Sequence, residues 1–252
     1  MQHLIKNVNV RIKRSFNSVK LPLSMAKSNR VPDSLPTGET QRRLLDAAEA
    51  LFMEHGYEAT TLRQITAAAN VNLAGVNYHF GGKEGLFQAV LTRRLDPMNG
   101  ERLRLLDELE EQAAGKPLTA EQILWAMFLP ALQLSRDRER GGKNFLRLLG
   151  RAYVDPAPFI RNFLNERYTD MVARFKKAFA AALPHLPKQE LSWRLHFTMG
   201  AMAYTIAGTD LMQVISSLNP RDTNNDEMLL RRLLPFLVAG LRSAAPELND
   251  QI

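Results

Sequence analysis

Three features of this chain predict an all-α fold. Apolar residues recur at helical spacing from Glu39 almost to the C-terminus, beginning with Leu44, Leu45, Ala48, Leu51 and Phe52. No convincing two-residue alternation of the kind that marks a half-buried strand appears anywhere. The segments also change character: short, tightly punctuated helices up to about residue 82 give way to long apolar ones. That change is what a small head attached to a larger helical body produces.

The elements follow in order. Residues 1–38 read as a basic N-terminal extension ending in the linker-like Val31-Pro-Asp-Ser-Leu-Pro-Thr-Gly. A first helix begins at Glu39, and Gly56 after His55 is its expected C-cap. Thr60 or Thr61 can cap a short second helix, whose Leu62, Ile65 and Ala69 form a buried stripe. Asn70-Val71-Asn72 interrupts the pattern, and Asn72 can cap a third helix of hardly two turns with Val76 and Phe80 as core contacts. Gly81-Gly82 ends it, and Lys83-Glu84 opens a longer helix through Leu86, Phe87, Val90, Leu91 and Leu95. Pro97 bends or restarts that helix, Leu103, Leu106 and Leu109 continue its stripe, and Gly115-Lys-Pro breaks it. Further helices are expected over about 119–135, 142–153, 156–182, 188–217 and 226–244, with kinks at Pro130 and Pro235.

A short capped helix set directly after another one is the signature of a helix-turn-helix, whose second member must fit the major groove of B-DNA. Bulk charge does not make this case. The formal net charge is +7, but residues 1–38 hold seven Lys/Arg against the single acid Asp33. The remainder carries 26 basic and 25 acidic residues and is nearly neutral. Two readings of the basic head stand: a flexible arm that adds phosphate contacts, and a segment upstream of an internal start at Met25. The absence of cysteine excludes a disulfide scaffold and thiol catalysis, and suits a reducing cytoplasm. No apolar run reaches the roughly 18 residues of a membrane span.

The segment LDAAEALFMEHGYEATT at 45–61, the turn ITAAANVN at 65–72 and above all VNYHFGGKEGLF at 76–87 resemble the TetR family of bacterial transcriptional regulators. The ordered set, with Tyr-His-Phe followed by Lys-Glu, carries the resemblance. FLRLLGRA at 145–152, LPKQELSWRLHFTMGA at 186–201 and PFLVAG at 235–240 extend it, over roughly 39–243, to the PsrA-like, fatty-acid-responsive branch. The resemblance implies a DNA-binding head at 39–85, an effector-binding and dimerisation domain at 86–245, and a C-terminal tail at 246–252.

It also implies roles. The third helix maps to Leu73–His79, so Asn72, Leu73, Asn77, Tyr78 and His79 are candidates to meet the operator, with Thr61, Arg63 and Lys83 on phosphates. Asn can pair with adenine through two hydrogen bonds, whereas Tyr and His more often fix position. Asn77 stands where many family members carry tyrosine, so base preference does not transfer. Two C-terminal helices would build a homodimer, with Gly200, Ala203 and Ala207 allowing close approach and Leu233, Leu237 and Leu241 giving an apolar stripe. Phe128, Leu132, Phe145, Leu148, Phe175, Phe179 and Met199, together with Leu149, Phe159, Phe163 and Phe197, would line a cavity for a hydrophobic effector, a fatty acid or acyl-CoA. Arg151 or His196, with Arg147 and Arg194 as alternatives, would meet its polar end. An aromatic or drug-like effector is the alternative.

No enzyme site competes with this reading. The five histidines are scattered without metal-ligand spacing, and Gly81-Gly82 has no accompanying Walker pattern. No cofactor is expected, and the partners are duplex DNA, a second copy of the chain and an apolar small molecule.

Overall fold

The computed structural model describes residues 37–137, 142–154, 158–207 and 226–246. Among these residues there are nine helices and no strand, so the fold is all-α: a three-helix head followed by a larger helical body. The head comprises α1 (Thr37–Ala59), α2 (Leu62–Ala69) and α3 (Leu73–Phe80). The body comprises α4 (Lys83–Ala113), α5 (Ala120–Arg136), α6 (Gly142–Val154), α7 (Pro158–Ala182), α8 (Lys188–Ala207) and α9 (Asp226–Arg242).

Punctuation follows the sequence closely, with one correction. Gly56 does not end α1; it breaks it, at φ 83° and ψ 174°, and helix resumes to Ala59. Positive φ favours glycine because a Cβ would clash there. The break is held by buried Thr60, whose hydroxyl lies 2.7 Å from the Gly56 carbonyl and 3.2 Å from that of Leu51. Asn70 ends α2 in the left-handed region at φ 51°, a conformation Asn tolerates better than most residues. Ala114 does the same for α4, followed by Gly115. Helices α4, α5 and α9 each continue past their internal prolines, Pro97, Pro130 and Pro235. The expected helix 188–217 is helical to Ala207, and positions 208–217 lie outside the described residues.

α5 is the axis of the body. It packs against α4, α6, α7, α8 and α9, and its Ile123, Leu124, Phe128 and Leu132 are fully enclosed. Each such side chain contributes about 1.5–3 kcal/mol through burial. Phe145 and Leu148 of α6, and Phe175 and Phe179 of α7, complete this interior. Arg102 of α4 donates to the Met127 carbonyl at 2.7 Å, one turn ahead of Pro130 in the same crowded stretch.

Two ionic ties fix α4. On the head side, Glu49 of α1 is only 5% exposed at its side chain and receives both Arg94 and Arg93, the latter at 3.3 Å. Arg93 also reaches Asp46 at 2.6 Å. On the body side, Asp96 accepts from Arg167 and from the Tyr168 hydroxyl at 2.9 Å, and Arg174 bridges Glu110 at 2.7 Å and Asp107 at 2.6 Å. A third tie closes the far end. Buried Arg194 of α8 pairs with Glu190 and donates to the carbonyls of Leu241, Ser243 and Ala244 at 2.6–3.0 Å, capping the C-terminus of α9. Cations suit a helix C-terminus, where carbonyls lack intrahelical partners.

Breaking the α1–α4 tie should be expensive. Glu49→Ala leaves two guanidiniums without their buried acceptor and should cost about 3 kcal/mol in urea unfolding. Acid should act on the α4–α7 ties. Hydrogen bonds from Arg167 and Arg174 hold the Asp96 and Glu110 carboxyls below their ordinary values. Their contribution is therefore full above the unfolded carboxylate range, about pH 4, and is lost as pH falls through the lowered folded values. Both are more than a third exposed, so each adds less than about 1 kcal/mol. The double change Asp96→Asn, Glu110→Gln should flatten the loss of the urea midpoint between about pH 4 and pH 2.

Candidate nucleic-acid interface

The head is built to present α3. Leu44, Ala48 and Phe52 of α1, Ile65 and Ala69 of α2 and Val76 of α3 form its core with Leu86 and Phe87 of α4. Thr61 caps α2 in a reciprocal box: its hydroxyl accepts from the Gln64 amide at 3.3 Å, and Gln64 accepts from the Thr61 amide at 2.8 Å. Asn72 caps α3, its Oδ1 accepting from the Gly75 amide at 3.0 Å. The two helices of the motif are eight residues each, and both caps fall where the sequence puts them.

Only Val76 of α3 is fully buried. Asn72, Leu73, Asn77 and Tyr78 are exposed, Tyr78 to 80%, while His79 and Phe80 are half-buried. With Val76 alone fully buried, most of the α3 surface, the Tyr78 ring and the Asn77 amide included, is left uncommitted to the core of the head. Arg63 on α2 and Thr61 are exposed on the same short motif. The Asn72 Oδ1 is occupied by capping, which leaves its amide nitrogen for other contacts. Lys83 is more confined than the sequence suggests. Its ammonium sits 4.2 Å from the Tyr57 ring centroid and 3.5 Å from the Glu58 carbonyl.

The joint between α3 and α4 is glycine-bound at three positions. Gly81 and Gly82 adopt φ 70° and 126°. Gly85 is needed for space: a Cβ there would lie 1.9 Å from the Phe80 carbonyl oxygen.

The body residues divide differently from expectation. Phe128, Leu132, Phe145, Leu148, Phe175 and Phe179 are all interior. Met199 and His196 are not; both are exposed on α8, His196 on the face of Trp193 and Phe197, whose rings lie 6.4 Å and 6.0 Å from its own, and Met199 at the margin of the buried face of Leu191 and Met202. Arg194 is consumed in capping α9 and is not available to an effector. The side chains of Arg151 and Ala207 lie outside the described residues. Of the stripe on α9, Leu237 and Leu241 are 4% and 1% exposed and belong to the subunit's own core, with Leu233 half-buried. Gly200 and Ala203 are exposed.

Among the described residues of the body, the exposed aromatic side chains are instead Trp193, Phe197 and Tyr204, along one side of α8, and Phe236 of α9, the last 69% exposed. Trp193 and Phe197 stack at 5.9 Å. Sequence reasoning missed this face and expected Phe197 to line the cavity, although the spacing 193, 197, 200 and 204 places these residues along one side of a helix.

Comparison with known proteins agrees with this architecture. Residues 44–90 match the bacterial regulatory protein model of the tetR family, and residues 125–240 match the tetracyclin repressor-like C-terminal domain; together these cover more than half of the chain. The chain belongs to the TetR family. This is a family of regulators and not of enzymes. The regulator SrpR of Pseudomonas putida is 42% identical over 60 residues, 24% of this chain and 28% of that protein. The repressor KstR2 of Rhodococcus jostii is 39% identical over 67 residues, 26% of this chain and 33% of that protein. The aligned stretches thus span less than half the length of these relatives. HlyIIR, a hemolysin II transcriptional regulator, superposes at TM-score 0.53 with 17% identity over 81% of this chain and 99% of its own. A TetR family transcription regulator from Marinobacter aquaeolei VT8 gives 0.54 with 14% identity over 81% and 95%. At such identity the likeness is one of fold. None of these matches singles out the fatty-acid-responsive branch.

The geometry of the joint is directly testable. Gly85→Ala should force α3 away from α4 and cost about 2–3 kcal/mol, seen as a lowered thermal midpoint. Thr61→Ala, which removes only a cap, should cost about 1 kcal/mol.

Proposed function

We propose that the protein is a DNA-binding transcriptional regulator that occupies a palindromic operator as a homodimer and is released by an apolar effector. The observation that carries the DNA reading is the open face of α3, with Asn77 and Tyr78 projecting from a doubly capped two-turn helix. In this reading α3 enters the major groove, Asn77 reads a base edge, and Asn72, Leu73, Tyr78 and His79 seat the helix against the duplex. Thr61, Arg63 and Lys83 hold phosphates on either side.

One head covers half an operator, so two must be held on one duplex. The exposed aromatic face of α8 and α9 supports a twofold contact: Trp193, Phe197, Tyr204 and Phe236, with Gly200 and Ala203 permitting close approach. Aromatic anchors around small residues are the composition of a stable interface core. A dimer seated on a promoter blocks polymerase without an activation surface, so repression is the simplest outcome.

The effector is proposed as a long-chain fatty acid or its CoA ester. Phe128, Phe145, Phe175 and Phe179 surround the α5 axis with apolar side chains, and an acyl tail inserted among them gains about 0.8 kcal/mol per buried methylene. Such a ligand would bias α5 and α7, and through the α4 ties the disposition of the head.

Selection of bound genomic fragments gives an operator, and fluorescence anisotropy then tests the roles. Lys83→Ala should weaken binding to all duplexes and make it less salt-dependent, whereas Asn77→Ala should change the ranking of operators. Equal effects of both on specific and random DNA would reject this division. For the effector, shortening the acyl chain by four carbons should cost about 3 kcal/mol of apparent affinity if all are buried. Operator binding that ignores every chain length sinks the lipid assignment and turns attention to aromatic or drug-like ligands.

A further inference from the structure

We infer that Tyr57 is a positioning residue for Lys83, and that Phe159 of α7 ties that position directly to the body. This rests on the reading of Lys83 as a phosphate contact. The Lys83 ammonium lies 4.2 Å from the Tyr57 ring centroid, within cation–π range, and 3.5 Å from the Glu58 carbonyl in the last turn of α1. An ammonium has three N–H donors. The carbonyl takes one and the ring face attracts the charge, which leaves donor capacity directed outward from a side chain already restrained. A free lysine loses much of its rotamer freedom when it grips a phosphate; a restrained one loses less.

The ring that provides this platform is itself held. Tyr57 meets Phe87 at 4.9 Å, Phe159 at 5.0 Å and Phe52 at 6.0 Å, and Phe159 also meets Phe87 at 6.3 Å. Phe52 and Phe87 belong to the head core and do not move independently of it. Phe159 stands in the first turn of α7, the helix that also supplies Phe175 and Phe179 to the interior and Arg167 and Arg174 to the ties with α4. A displacement of α7 therefore reaches the Tyr57 ring through one aromatic contact, and the Lys83 ammonium through two. Burial, reinforced by Glu84 and Glu58, raises the Tyr57 phenol above its ordinary value, so the ring under the ammonium is the neutral phenol.

The test uses the full chain in two measurements. In the first, lysines are reductively methylated with carbon-13 and the Lys83 signal is assigned by its loss in Lys83→Gln. It should be shifted upfield by the ring, keep that shift in Tyr57→Phe, lose it in Tyr57→Leu and move in Phe159→Leu. In the second, on unmodified protein, Tyr57→Leu and Phe159→Leu should each weaken operator binding by about three- to tenfold. Neither should weaken it further in a Lys83→Gln background, and Tyr57→Phe should bind as the parent does. Variants are compared only after their thermal midpoints show a folded protein, and Phe159→Val replaces Phe159→Leu should that one unfold. An unshifted Lys83 signal, or a binding penalty that persists in full without Lys83, overturns the inference. If Lys83→Gln alone leaves binding unchanged, the phosphate reading fails instead, and the lysine signal still decides whether Tyr57 and Phe159 place the side chain.

Discussion

Glu49 has few alternatives once the chain is folded. Its carboxylate is buried between α1 and α4, and two adjacent guanidiniums on α4 converge on it. Moving such a group into an apolar interior is costly unless every partner is in place, so the pair permits one register of α1 along α4 and penalises the neighbouring ones. The head core then forms on the correct face of α4, with Phe52 against Phe87 at 5.0 Å. Because α4 also carries Asp96, Arg102, Asp107 and Glu110 toward the body, the same register sets where α5 and α7 lie.

α3 depends on that arrangement more than on itself. An eight-residue helix is too short to be stable alone, and this one buries a single side chain completely. Its order comes from the Asn72 cap at one end, the glycine joint at the other and α1 and α4 behind it. The design leaves most of its surface uncommitted to folding, which is what allows that surface to be shaped by recognition. The cost is dependence: anything that shifts α4 shifts α3.

Much of this was legible in the sequence, for reasons particular residues show. The caps at Thr61 and Asn72 were readable because capping is local chemistry between residues three apart. The interior phenylalanines were readable because an unbroken apolar stripe has nowhere else to go. What failed was assignment of face. Leu237 and Leu241 were assigned to a partner subunit, and a helix that packs against α5 and α8 instead turns them into the subunit's own core. His196 and Met199 were grouped with interior residues by chemical character, although the helical position of His196 places it beside Trp193 and Phe197 and that of Met199 only at the margin of the buried face. Arg194 gave no signal of its capping role, since the Leu241, Ser243 and Ala244 carbonyls it caps lie 47 to 50 residues further along the chain. Lys83 was singled out by the family resemblance, while its aromatic platform, 26 positions earlier at Tyr57, depended on a fold not yet built.

Gly85 has a consequence for how such a protein can change over generations. Eight and seven positions before Gly85, Asn77 and Tyr78 are exposed and take no part in the buried core of the head. At Gly85 the nearest heavy atom to an added carbon is a backbone oxygen, which no rotamer change can move aside. In the proposed reading, a lineage can therefore explore new operators by drifting at α3 while the joint behind it tolerates little change. Novelty in what is read is decoupled from the mechanics of reading, and the boundary between the two is about two helical turns wide.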